Sequence, residues 1–265
     1  MRDSWRPKLV AVDADGTIIG LDECIPTPLL TKLRRINAAG VPVVLATGRA
    51  WASAKLVVDQ LGFPQMYCVC NNGATVVTYP PLQRINNVTF DPAPLIAVVR
   101  HYPTTVVAIE DFGRGYFLSQ PWPPQGPYKL HGDHTIVSLD EMASRPASRM
   151  ILRDFEATPA AFDAMIARLD LTGLSHSRGG DNWYDIASGA AGKDNGLTVV
   201  TTALGLTSQD VLAFGDADND LAMLAWAGRG VALGDAAPAV QAVADAVTPP
   251  FAEGGILSEL ERWFG

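Results

Sequence analysis

The sequence predicts an α/β fold: a Rossmann-like parallel sheet core with an inserted α+β cap domain. Three observations lead there. From Lys8 to Gly73 short β-branched runs alternate with helical patterns, the signature of a parallel sheet covered by helices. The same alternation returns near Lys193. Between the two segments the pattern changes to strand-like runs with few helices. The core is expected over residues 1–79 and 189–265, and the insert over 80–188.

Each element follows from local composition. "KLVAVD" reads as a buried strand, Pro26 to Ala39 as a helix ended by Gly40, and "VPVVLAT" as a second strand. Arg49 to Leu61 reads as a helix closed by Gly62, and "MYCVC" as a third strand. In the second segment come a helix from Lys193 to Leu204, the strand "VLAFGD", a helix from Asp218 to Ala227, the strand "GVAL", and helices from Ala236 and Gly254. The insert offers a helix after Asp91 and Pro92, strands "TTVVAIE" and "GYFLS", and a proline cluster, "PWPPQGPY". It continues with "SRMILR", a helix near Pro159 to Asp170, and "NWYDIAS".

Bulk properties narrow the function classes. The formal charge of −8, from 20 basic and 28 acidic side chains, argues against duplex nucleic acid or an anionic membrane surface as the main partner. No apolar stretch approaches the roughly 20 residues of a membrane-spanning helix. Arg2, Arg6 and Lys8 precede an apolar run interrupted by Asp13 and Asp15, which does not suit a secretory signal, so a cytoplasmic protein is expected. Cys24, Cys68 and Cys70 form an odd set without CxxC spacing, which fits core thiols better than a disulfide framework or zinc site.

Four segments stand at expected strand ends or helix starts: "DADGT", "ATGR", "AAGKDNG" and "GDADND". Ligands of open α/β sheets bind at the carboxyl ends of the strands, so these four should converge. In an extended chain Asp13 and Asp15 point to the same side. Adding Asp216 and Asp220 makes a crowd of carboxylates without His or Cys, and hard oxygen ligands select a hard cation, Mg²⁺ best of all. Thr47 supplies a hydroxyl and, with Gly48, backbone N–H groups at a helix start. Lys193 supplies a compact positive charge. Together they offer positioning and neutralisation for phosphoryl transfer, with one carboxylate attacking and the other shuttling a proton.

In order and spacing, "DADGT", "ATGR", "GKDNGL" and "GDADNDLAML" resemble the four motifs of the haloacid dehalogenase superfamily. The tail "GVALGDAAPAVQAVADAVT…EGGI" is similar to its Cof-type phosphatase branch, and the insert matches a C2-type cap, of the C2B kind, in position and character. The resemblance implies Asp13 as nucleophile and Asp15 as general acid/base. It implies Mg²⁺ held by Asp13, the backbone carbonyl of Asp15 and Asp216, with Asp220 as an outer metal partner or an orienter of Lys193. Thr47 and Lys193 become phosphate ligands, and Gly48, Arg49, Asn72 and Asn219 complete the substrate contacts. The implied activity is hydrolysis of a small phosphomonoester, a sugar or polyol phosphate. Ala14, where many members carry a larger apolar residue, and Asp235, where the branch often shows Asn, depart from the pattern without removing a catalytic group.

Other readings carry less weight. "GDADND" lacks the Gly and twelfth-position Glu of a calcium loop, and "GAAGKD" lacks the spacing and Ser/Thr of a nucleotide P-loop. His131 and His134 read as solvated loop residues. Trp122 and Tyr128 fit irregular cap loop, with a pocket lining as the sharper alternative; Arg178, Asp181 and Trp183 are candidate sugar contacts. A phosphotransferase or phosphosugar mutase would use the same aspartyl phosphate, and a non-catalytic phospho-ligand-binding regulator is the rival from another class.

Overall fold

The computed structural model describes residues 5–123, 129–180 and 182–265. Tyr128 and Asp181 lie outside the described residues. In chain order the elements are β1 (Leu9–Val12), α1 (Thr27–Ala38), β2 (Val43–Ala46), α2 (Trp51–Leu61), β3 (Met66–Cys70), β4 (Thr75–Tyr79), β5 (Gln83–Asn87), α3 (Ala93–Val99), β6 (Thr105–Asp111), β7 (Gly115–Leu118), β8 (Asp133–Ile136) and α4 (Leu139–Ala143). They continue with β9 (Met150–Asp154), α5 (Pro159–Ile166), β10 (Leu174–Gly180), β11 (Trp183–Ser188), α6 (Lys193–Ala203), β12 (Val211–Gly215), α7 (Leu221–Trp226), β13 (Arg229–Ala232), α8 (Pro238–Val243), β14 (Ala246–Val247) and α9 (Leu257–Phe264).

These elements form two compact units. The first runs to Arg49 and includes Ala54–Asn86 and Gly192–Gly265; the second holds Ala50–Ser53 and Asn87–Ala191. The first unit is built on one sheet in the order β14-β13-β12-β1-β2-β3-β4-β5. Its strands from β14 to β3 are parallel, and β4 returns antiparallel to β3. All four residues of β1 and of β2 are buried, as befits strands covered on both faces. Leu9, Ala11, Val44, Ala46, Val211 and Ala213 share a cluster with Leu197, Val200, Met223 and Val240 from α6, α7 and α8. Each such Leu or Val contributes about 1.5–3 kcal/mol through removal from water. Helix α1 buries Leu29, Leu33 and Ile36, the stripe its 3.6-residue period sets.

The second unit carries a sheet in the order β10-β11-β9-β6-β7-β8, antiparallel except for the parallel pair β7–β8. Val107, Ile109, Met150, Leu152 and Ile186 pack on one face against Leu95, Ile96, Val99, Met142, Phe162 and Met165 of α3, α4 and α5. Ser138 and Thr158 cap α4 and α5 by accepting N–H groups from Glu141 and Ala161.

Several elements depart from the sequence expectation. Helix α2 begins at Trp51 rather than Arg49, because Gly48 and Arg49 form a bend. The expected helix from Asp218 opens as a one-turn 3₁₀ segment, Asp218–Asp220, before α7. Strands β5, β8 and β10 were not anticipated. They lie at sheet edges, and β8 and most of β10 are exposed, so no apolar alternation announces them. The first sheet consequently extends past residue 79 through β5.

Candidate active site

Strand register brings the motif residues to one rim. Val12 sits opposite Phe214 on one side and Leu45 on the other, so Asp13, Asp216 and Thr47 leave three adjacent parallel strands at the same edge. Ala46 pairs with Val69, which adds the turn after β3, with Asn71 and Asn72, to that edge.

At its centre is a buried ion pair network. Lys193, 1% exposed at the first position of α6, places Nζ 2.6 Å from Asp13 Oδ1 and 2.7 Å from Asp220 Oδ1. The second oxygen of Asp220 accepts the N–H groups of Asp216 and Ala217, both at 3.1 Å. Asp216 Oδ1 accepts the Thr17 hydroxyl at 2.8 Å. One oxygen each of Asp13, Asp216 and Asp220 lies within 4.8 Å of the others. Burial pushes the Asp13 carboxyl up to about 8, with Lys193 opposing and Asp220 and Asp216 adding to the rise. Burial likewise lifts Asp216 to about 6, opposed by the Thr17 hydrogen bond and the Lys193 charge, with Asp220 and, more weakly, Asp235 pressing the same way as burial. Burial alone would lower Lys193, but Asp13 and Asp220 hold it above its ordinary value. Three carboxylates thus face one ammonium. Such an all-oxygen set fits a small divalent cation, which would offset the excess negative charge.

The phosphate-clamp expectation needs correction in part. Thr47 N–H donates to the Val69 carbonyl at 2.8 Å, and Thr47 Oγ1 accepts Arg49 N–H at 3.1 Å. The Thr47 amide is therefore spent inside the fold, while its hydroxyl proton stays available as a donor. Asn72 N–H holds the Thr47 carbonyl at 3.0 Å, and its Oδ1 accepts Asn219 Nδ2 at 2.8 Å. Gly48 is packed close to both: a Cβ there would lie 3.0 Å from Asn72 Oδ1 and 3.4 Å from Asn219 Nδ2. Thr47, Gly48, Asn72 and Asn219 accordingly form one linked group.

Asp15 stands elsewhere. Strand β1 ends at Val12 and the backbone turns at Gly16, whose φ of +82° and close approach to the Asp216 carboxylate leave no room for a Cβ. The Asp15 carboxylate is bound by Arg49, Nε at 2.8 Å and Nη2 at 2.6 Å, and is not in the acid cluster. The crowding expected between Asp13 and Asp15 exists instead among Asp13, Asp216 and Asp220. Arg49 gives its third nitrogen, Nη1, to Glu23 at 2.9 Å. Burial lowers the guanidinium, but its bonds to Asp15 and Glu23 leave it above its ordinary value.

Residues 10–260 match the family model described as haloacid dehalogenase-like hydrolase. The chain belongs to that family. Among curated relatives, a 5-amino-6-(5-phospho-D-ribitylamino)uracil phosphatase of Bacillus subtilis is 24% identical, with 98% of each chain covered. A phosphoglycolate phosphatase of Methanopyrus kandleri is 26% identical over 90% of this chain and 89% of its own. Among solved structures, a haloalkanoate-superfamily phosphatase of Bacteroides thetaiotaomicron superposes with a TM-score of 0.79 at 25% identity, covering 99% of this chain and 97% of its own. The Rossmann-like core with an inserted α+β unit is thus a fold this chain shares with that structure.

Three features of this hydrolase escaped the sequence reading. Thr17, fully buried, supports Asp216; the "DADGT" string contained it without assigning it a partner. Glu23 pairs with Arg49 although no motif includes it. Gly73, at φ +96°, brings the Asn72 turn so near Gly192 that a Cβ would fall 1.8 Å from the Gly192 carbonyl oxygen. In the inserted unit, Arg178 pairs with Asp163, and Trp183 is buried, donating Nε1–H to Asp185 at 2.6 Å with Trp122 edge-on at 5.4 Å. His134, on edge strand β8, approaches the Leu130 carbonyl with Nε2 at 3.1 Å. Among the described residues no helix is long and apolar enough to cross a membrane.

Proposed function

We propose that this hydrolase cleaves a small phosphomonoester, a sugar or polyol phosphate, through an aspartyl phosphate on Asp13 with Mg²⁺ as cofactor. The observation that carries the reading is the buried meeting of Asp13, Lys193 and Asp220 beside Asp216. Asp13 attacks phosphorus as the ester P–O bond breaks, and Asp15 delivers a proton to the departing oxygen. Asp15 then takes a proton from the water that attacks the phospho-aspartate, releasing inorganic phosphate and restoring Asp13. Lys193 neutralises charge on the transferring group, and the Thr47 hydroxyl donates to a phosphoryl oxygen. Asp13, Asp216 and the Asp15 carbonyl would hold Mg²⁺, which when bound supplies charge neutralisation at the phosphoryl oxygens. Asp220, with both oxygens engaged, orients Lys193 and the Asp216 turn instead of ligating.

The named phosphatase relatives support the phosphomonoester class, and the phospho-D-ribityl substrate in one name supports a phosphorylated polyol. We place substrate choice in the inserted unit, within residues 87 to 191, and the chemistry in the core. A panel of phosphorylated metabolites assayed with and without Mg²⁺ tests the reading. Turnover that needs the cation and vanishes in Asp13→Asn supports it; turnover persisting in excess chelator contradicts the cofactor assignment.

A further inference from the structure

Arg49 spends all three guanidinium nitrogens on two carboxylates, Nε and Nη2 on Asp15 and Nη1 on Glu23. A two-pronged Arg–carboxylate contact fixes the carboxylate plane as well as its position. Asp15 needs such a fixture, since its side chain is 58% exposed while that of Arg49 is only 15% exposed. Arg49 in turn needs Glu23, which anchors the far edge of the guanidinium. Glu23 itself is held in place. Its backbone lies in the left-handed region at φ 58°, which costs a non-glycine residue energy, and the Gln60 side chain pins the loop at Glu23 and two residues beyond it. Gln60 donates Nε2–H to the Glu23 carbonyl at 2.8 Å and accepts the Ile25 N–H at 3.0 Å. The loop thus keeps a strained glutamate where glycine would sit without strain, and its side chain reaches Arg49.

We propose that Glu23 is a positioning residue that, through Arg49, aims the Asp15 carboxyl at the leaving-group oxygen. Arg49 then belongs with the proton-transfer apparatus and not with the phosphate ligands. This inference rests on the reading of Asp15 as general acid/base given above.

The test uses phenyl phosphates of one shape with leaving groups of rising basicity, from p-nitrophenyl to p-methoxyphenyl phosphate. The ratio kcat/KM reports the step in which the ester bond breaks, and a basic leaving group depends most on proton delivery. Glu23→Ala should lower kcat/KM for the p-methoxyphenyl ester about tenfold more than for the p-nitrophenyl ester, with Glu23→Gln in between because it keeps an acceptor oxygen. Glu23→Gly should show the same selective loss with a melting temperature held or raised, because glycine relieves the left-handed backbone. A merely structural glutamate would lose both esters equally and lower the melting temperature with them. Equal loss across the series, a rise in KM alone, or no effect overturns the inference. Asp15→Asn, measured alongside, separates the two levels. A selective loss there with none in the Glu23 variants defeats only the positioning role, whereas unchanged rates in Asp15→Asn defeat the acid/base assignment and the inference with it.

Discussion

The Lys193 ammonium lies 2.6 Å from the Asp13 carboxylate although 180 residues separate them in the chain. Both side chains are buried, and Lys193 also holds Asp220 at 2.7 Å. Removing one member of a buried ionic network strands its partners without water or counter-charge. Lys193→Met should therefore destabilise the protein by about 3–5 kcal/mol in urea unfolding. A loss under about 1 kcal/mol, the range of surface pairs, would show that the network is far wetter than its burial indicates.

Gly73 and Gly192 approach at backbone distance, and this contact sets the start of α6 against the Asn72 turn. Gly73→Ala should cost about 1–3 kcal/mol by overpacking and reduce kcat by displacing Lys193. Gly40 has a similar positive φ, +87°, but nothing within 4 Å of a Cβ there. Gly40→Ala should therefore leave kcat unchanged, paying only the backbone strain. Equal kcat losses in the two variants would refute the packing argument.

Thr17 donates its hydroxyl to Asp216, one of the proposed cation ligands. Outer partners of metal ligands are worth about 10–100-fold in affinity. Thr17→Val should accordingly weaken the Mg²⁺-dependent rise in melting temperature, and Asp216→Asn should abolish it. A full Mg²⁺ shift in Asp216→Asn would remove Asp216 from the ligand set.

Asp154 governs a pH dependence in the inserted unit. Burial would raise its pKa, but the N–H groups of Ala157 and Glu156 and the hydroxyls of Thr105 and Thr104 outweigh that and lower it below its ordinary 3.8. A carboxyl depressed on folding contributes stability that is fully present above its unfolded value and is lost as pH falls through the folded value. Asp154→Asn should therefore destabilise at neutral pH by about 1–3 kcal/mol, with the difference from wild type shrinking below pH ~3.8. A gap that stays constant with falling pH would contradict the linkage.

The sequence carried the central strands and the acid-rich rim plainly, because buried parallel strands read as unbroken apolar runs and the motif carboxylates interrupt them. It could not show that Asp15 is held by Arg49 outside the cluster of Asp13, Asp216 and Asp220. That depends on Gly16 bending the chain, and on an arginine whose partner, Glu23, belongs to no motif. Edge strands such as β8 and β5 were hidden for the opposite reason, since solvent-facing residues need no hydrophobic pattern. Thr17 was legible as a letter within "DADGT", but only the pairing of β1 with β12 brings it to Asp216.

The central claim is that Asp13 accepts the phosphoryl group, and acid quenching during turnover followed by peptide mass mapping tests it most directly. The expected result is one phosphoryl group on the peptide containing Asp13, sensitive to alkali, and absent from Asp13→Asn, which should also have lost turnover. Phosphorylation of another residue, or turnover in Asp13→Asn close to that of the unaltered protein, would contradict the account.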